Sequence, residues 1–192
     1  MVDLTKPLYE SSFLSCEKDA ETILKKLFFS DPEYANLLKR LLVISTKDCI
    51  SDLENEDYIN KINEMNISKL VEEGYIRLQP KIRLPEHEKI KSYIILTFDN
   101  FVTNQSNPQF RDCVINIDVI CHTDYWDIGD YRQRPLKIVG YIDSLLNNSR
   151  LSGIGLLQFF GCGQLILDEN LSGYNLSYLA VHGGEDRIKD EE

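Results

Sequence analysis

Between residues 16 and 29, apolar side chains recur at helical spacing: Ala20, Ile23, Leu24, Leu27 and Phe28, with Glu17, Lys18, Lys25 and Lys26 between them. That spacing predicts an amphipathic helix. Ser30-Asp31-Pro32-Glu33 reads as a break and a fresh start, because Asp31 can cap and Pro32 loses nothing in a first helical turn. Tyr34, Leu37, Leu38, Leu41 and Leu42 then fall on one helical face. The two pieces are consecutive helices or one broken helix. Across 45–73 the apolar pattern thins to Ile59, Ile62 and Ile67, and Ser68–Glu73 before Gly74 predicts a short helix with a glycine stop. This segment is expected to be an elaboration on a smaller core.

From residue 75 the period changes to two. Tyr75–Leu78 and Lys81–Leu84 flank Pro80, and Ser92–Phe98 is rich in β-branched and aromatic residues. A polar loop is expected from Asp99 to Arg111. Cys113, Ile115, Ile117, Val119 and Cys121 then alternate with Asn116, Asp118 and His122, which predicts a strand with one buried face. After a polar, aromatic loop at 123–133, Ile138, Val139, Tyr141, Ile142, Leu145 and Leu146 predict a helix over about 135–147. Strands near 155–168 and 174–181 close the pattern. Gly161 and Gly163, inside the first of these, predict a bulge or a close backbone contact, and Gly153 a turn. Helix, several strands, helix, two strands is the order of an α+β fold with a mainly antiparallel sheet. Residues 1–182 read as one domain and 183–192 as an acidic tail.

Composition sharpens this picture. The chain has 192 residues, 43% of them hydrophobic, which is too apolar for intrinsic disorder. Its net charge of −10 is concentrated in two places. Residues 48–73 carry eight acids against two lysines, and the last ten residues carry five acids against two bases. The rest is nearly neutral. No basic stripe exists of the kind that grips nucleic acid through counterion release. No apolar run is long enough to span a membrane, and Met1–Pro7 lacks the basic start and apolar stretch of a signal peptide. Five widely spaced cysteines without a CxxC pair fit free thiols in a reducing compartment.

No pattern of catalysis emerges. There is no G-x-S-x-G, no phosphate-cradling glycine motif, and no Asp or Glu followed two positions later by Lys. Asp124, Asp127 and Asp130 lie three apart, unlike a calcium loop. His87 sits in a charged connection and His182 near the end of the fold, so no metal site, no cofactor and no catalytic residue is expected. Cys113 and Cys121 read as small core hydrophobes.

One constellation stands out: Tyr125, Trp126, Tyr131, Arg132 and Arg134 within ten residues, including the only tryptophan. Tyr, Trp and Arg are the types enriched at interface hot spots. Trp126 has two readings, an interface anchor or an aromatic that folds back over the sheet edge or the 135–146 helix.

The order of parts resembles the tail terminator, or tail completion, family of tailed bacteriophages. An N-terminal helix (16–28) precedes strands at Tyr93–Phe98 and Val114–Cys121. Tyr131-Arg132-Gln133-Arg134-Pro135 then starts a helix with Ile138, Ile142, Leu145 and Leu146. Strands holding Gly155-Leu156-Leu157 and Tyr174–Tyr178 close the domain. The resemblance implies a non-enzymatic virion protein at the head–tail junction, assembled in the host cytoplasm. It implies a ring, usually hexameric, that meets neck or connector and tail tube proteins while genomic DNA passes through. The acidic 45–73 segment is longer than a minimal terminator needs, which leaves room for a related neck or collar role. Two other readings stand beside this one: a small cytosolic α+β binding module or enzyme subunit using the 123–134 loop, and a hydrolase whose carboxylates converge only in space.

Overall fold

The first two helices follow directly from their local chemistry. In the computed structural model, which describes Phe13 and residues 16–46, 49, 56–79, 91–105 and 111–181, α1 spans Cys16–Phe29 and α2 spans Pro32–Val43. They are separate helices because Asp31, extended at φ −132°, accepts hydrogen bonds from the Glu33 and Tyr34 N–H groups and restarts the helix. Ile23, Leu24, Leu27 and Phe28 of α1 and Leu38, Leu41 and Leu42 of α2 are buried.

Helices α3 (Glu56–Asn63) and α4 (Ile67–Glu72) come from the acidic segment. Their described residues do more than decorate the fold, since Ile62, Met65 and Leu70 join the main core cluster. Lys39, buried on α2, donates from Nζ to the Asn63 carbonyl at 2.6 Å. That contact satisfies the C-terminal end of α3, where a cation meets the negative end of the helix dipole. The acidic stretch 50–55 and the tail 183–192 lie outside the described residues.

Six strands form one sheet in the order β1-β2-β3-β6-β5-β4, with β1 Ile76–Arg77, β2 Tyr93–Thr103, β3 Arg111–His122, β4 Arg150–Leu151, β5 Gly155–Ile166 and β6 Leu171–Val181. All neighbours are antiparallel except β1 and β2, so the sheet is mixed with an antiparallel majority. Helix α5, Arg134–Leu146, connects the β2–β3 hairpin to the β4–β6 half. Cys113, Ile115, Ile117, Val119 and Cys121 all face the helices, as the alternation predicts, and meet Ile138, Ile142, Leu146, Leu176 and Tyr178 in one core. A small second cluster of Tyr93, Ile95, Ile120 and Leu171 lies on the opposite face. Beside it, Asn175 Nδ2 donates to Asp118 Oδ1 at 2.6 Å and Ser177 Oγ to Asn116 Oδ1 at 2.7 Å.

Two expectations need correction. The loop expected from Asp99 is strand as far as Thr103, with a register irregularity between Asp99 and Val102 that lets a polar stretch stay paired to β3. The strand expected over Tyr75–Leu78 shrinks to two residues, and Lys81–Leu84 lies outside the described residues. The glycines behave as expected in two cases: β5 shifts register between Phe159 and Gly161, and Gly153 turns at φ +86°. Gly173 is the position where no side chain fits, because a Cβ there would lie 1.7 Å from the Val119 carbonyl oxygen.

Candidate interaction site

The loop between β3 and α5 is built on a buried arginine. Arg134 is 1% exposed and donates through Nη1 to the carbonyls of Leu41 at 2.7 Å and Ile44 at 2.8 Å. Its Nε donates to Tyr125 O at 2.9 Å, and its Nη2 to Thr46 O. Leu41 and Ile44 end α2, so the guanidinium supplies donors to carbonyls that the helix leaves unsatisfied and sits at the negative end of the dipole. One side chain ties α2, the 123–133 loop and the start of α5 together.

From this anchor the loop narrows to a tip. The Arg134 N–H donates to Trp126 O at 2.7 Å, Ile128 N–H to Arg132 O at 2.9 Å, and Arg132 N–H to Gly129 O at 2.8 Å. Asp127 and Gln133 form an isolated bridge, and buried Ile128 pins the inner side. Gly129, Asp130 and Tyr131 all take positive φ, at 80°, 48° and 61°. A tyrosine in the left-handed region is strained by about 1–2 kcal/mol, and this one is fully exposed. The hydrogen-bonded neck holds the strain. Arg132 reaches Asp130 at 3.8 Å, an exposed ion pair of little energetic weight.

The five aromatic and basic residues of this loop therefore separate. Tyr131 and Arg132 present a rim to solvent, next to an open groove of about 520 Å³ lined by Tyr34, Leu136, Lys137 and Tyr141. Tyr125 is half-buried and lends its carbonyl to Arg134. Trp126 is half-buried against the core, with its ring 6.4 Å from Tyr174, so it folds back over the sheet. Arg134 is removed from the surface altogether. Its reading as an interface residue gives way to that of an internal tie, because the side chain is buried and held by four backbone carbonyls.

A second surface carries no motif in the sequence. Phe159, Phe160, Ile166 and Leu167 are exposed at 45%, 65%, 74% and 50%. Phe159, Phe160 and Ile166 lie on β5 and Leu167 just after it. The outer side of β5 pairs with β4 at Gly155 and Leu156, with the Asn148 and Ser149 backbone at Leu157, and with Asn147 Oδ1 at the Phe159 N–H. The signal was available: residues 155–167 contain no charged side chain and no proline, in a chain that is 27% charged. Edge strands ordinarily carry Lys, Pro or inward charges that discourage pairing.

The cysteines offer little reactivity. Burial, helped by nearby Cys16 and Asp19, pushes the Cys113 thiol up to about 12, and burial raises Cys121 to about 11. Cys162 on β5 is exposed, and its thiol is raised by partial desolvation and by Asp143. Tyr178 donates to Asp143 Oδ1 at 3.0 Å, and burial followed by that carboxylate raises its hydroxyl. Among the described residues no three His, Cys, Asp or Glu side chains stand together as metal ligands, and no helix is long and apolar enough to cross a membrane.

The comparison that decides the family is a match of residues 36–180 to the YomW family model. The chain belongs to the YomW family. That family is phage-derived and found in Bacillus. The match begins inside α2 and ends on β6, so it takes in the Arg134 tie, the loop and β5 together. No curated protein and no solved structure matches the chain.

Proposed function

We propose that this YomW-family protein is a non-enzymatic structural subunit of a phage virion, assembling as a ring at the head–tail junction in a tail terminator, neck or connector role. The observation that carries this reading is the Tyr131 loop: a strained, exposed aromatic tip held on a buried arginine, shaped to touch another protein. Strain kept at an exposed tip has a use when a partner contacts it. The phage-derived family and the terminator-like order of helices and strands support the same reading.

In this role the ring, a hexamer of about 133 kDa from six 22.2 kDa chains, meets neck or connector proteins on one side and tail tube proteins on the other. A neutral to acidic chain suits a conduit for DNA, since basic patches would hold the passing phosphates. Assembly takes place in the host cytoplasm and the product resides in the virion.

The test is genetic. A phage in which this reading frame is interrupted should yield separate DNA-filled heads and tails, or tails of irregular length, in electron micrographs, and complementation should restore joined particles. Normal, infectious virions from the interrupted phage would overturn the proposal. The rival reading, a cytosolic binding module working through the same loop, expects those intact virions.

A further inference from the structure

Among the described residues, the sheet ends in two open edges that complement one another. On one side, Leu167 N–H donates to Leu171 O, and the alternation of an antiparallel ladder then turns the backbone groups of Ile166, Gln164 and Cys162 away from β6. No described strand meets them. This edge is uncharged over residues 155–167 and carries exposed Phe159, Phe160 and Ile166. On the other side, β1 covers only Ile94 and Ile95 of the eleven-residue β2. Among the described residues, Leu96–Thr103 is a second open stretch of similar length. Beside it runs an apolar groove of about 540 Å³, lined by Ala20, Leu78, Leu96, Phe98 and Phe101 among others.

We infer that the open Phe160–Ile166 edge of β5 in one copy pairs with the β2 edge of the next, bringing the exposed Phe160 and Ile166 side chains to the groove. The occupant of each edge is a second copy of this chain. Three features favour this over a foreign peptide. Both edges are present in every copy, on opposite sides of one sheet. One offers exposed apolar side chains where the other offers an apolar groove. Neither is defended by a lysine or a proline within the open stretch. A contact between two different surfaces of identical subunits is head-to-tail, and it closes into a ring when the rotation per subunit permits. Strand addition supplies the backbone hydrogen bonds and the alternate side chains give selectivity. The inference rests on the ring reading and adds which surfaces make the ring.

Gln164→Pro and Ile166→Lys test it by sedimentation velocity across a dilution series. Gln164→Pro removes only an outward N–H, so the β5–β6 ladder survives. Both variants should retain the wild-type circular dichroism spectrum, and the concentration for half-assembly should rise about tenfold or more, matching the loss of one or two hydrogen bonds. Wild-type rings with equally stable variant rings would overturn edge pairing while leaving the ring reading intact. A wild-type chain that stays monomeric at every concentration would overturn both. Disulfide trapping covers the case of a variant that fails to fold. With native Cys162 retained, cysteines placed singly at Leu96, Thr97, Phe98, Asp99, Asn100, Phe101, Val102 and Thr103 should crosslink between copies with a period of two. Dominant Cys162–Cys162 dimers, or no crosslink at any of these positions, would refute the head-to-tail pairing.

Discussion

Replacing Arg134 with alanine removes donors from four backbone carbonyls at once: Leu41, Ile44, Thr46 and Tyr125. Hydrogen bonds to a charged group contribute about 1.5–3 kcal/mol each, which as a bare sum would be on the order of 6–12 kcal/mol. The realised loss is smaller, because the positive charge no longer has to be desolvated and Thr46 lies at the surface, where water can replace the lost donor. Breaking buried polar ties of this kind costs roughly 3–5 kcal/mol, which for a chain of this length lowers Tm by about 10 °C. Arg134→Lys keeps the charge but has one point of donation in place of a fork, so about half the loss should remain. The assay is urea unfolding followed by Trp126, the only tryptophan, whose carbonyl accepts from the Arg134 N–H. It should be run at concentrations where the chain is monomeric, since assembly adds stability by mass action. A loss below about 1 kcal/mol for Arg134→Ala would refute the account of the tie.

Three further outcomes follow from the same physical reading. Tyr131→Asn, which suits a left-handed backbone, should stabilise the monomer by about 0.5–1 kcal/mol in urea unfolding while weakening assembly; a destabilised monomer would show that the ring packs where the structure leaves it exposed. Gly173→Ala should prevent folding or lower Tm by well over 10 °C in a thermal melt, on the order of 4 kcal/mol or more, because its Cβ would collide with the Val119 carbonyl. Stability should fall as pH rises above 9, because the unfolded thiols ionise there while folded Cys113 and Cys121 stay protonated until about 12 and about 11. The folded state then binds more protons than the unfolded one, and each thiol contributes a slope of about −1.4 kcal/mol per pH unit. Cys113→Ala should remove one such share, while Cys162 and Tyr178, also raised, add to the remaining slope. Lys39, whose ammonium is lowered by burial, opposes this slope at high pH.

What was legible in the sequence was what depends on near neighbours. Asp31 and Pro32 mark the restart of a helix because a cap acts within three residues, and the alternation from Cys113 to Cys121 marks a buried strand face because a pleat has period two. Arg134 was misplaced for the complementary reason. Its carbonyl partners at Leu41 and Ile44 lie 93 and 90 residues away, and a backbone carbonyl has no sequence signature. The extension of β2 beyond Asp99 was hidden because an exposed strand end is polar, like a loop. The β5 edge was marked by an absence, thirteen residues without a charge, which motif searches do not register.

Sedimentation velocity of the purified, untagged chain across a dilution series separates a ring-forming subunit from a monomer. A discrete species near six times 22.2 kDa is expected, in equilibrium with monomer and few intermediates. A single 22.2 kDa species at every concentration, with tail tube and neck proteins added or absent, would contradict the ring reading.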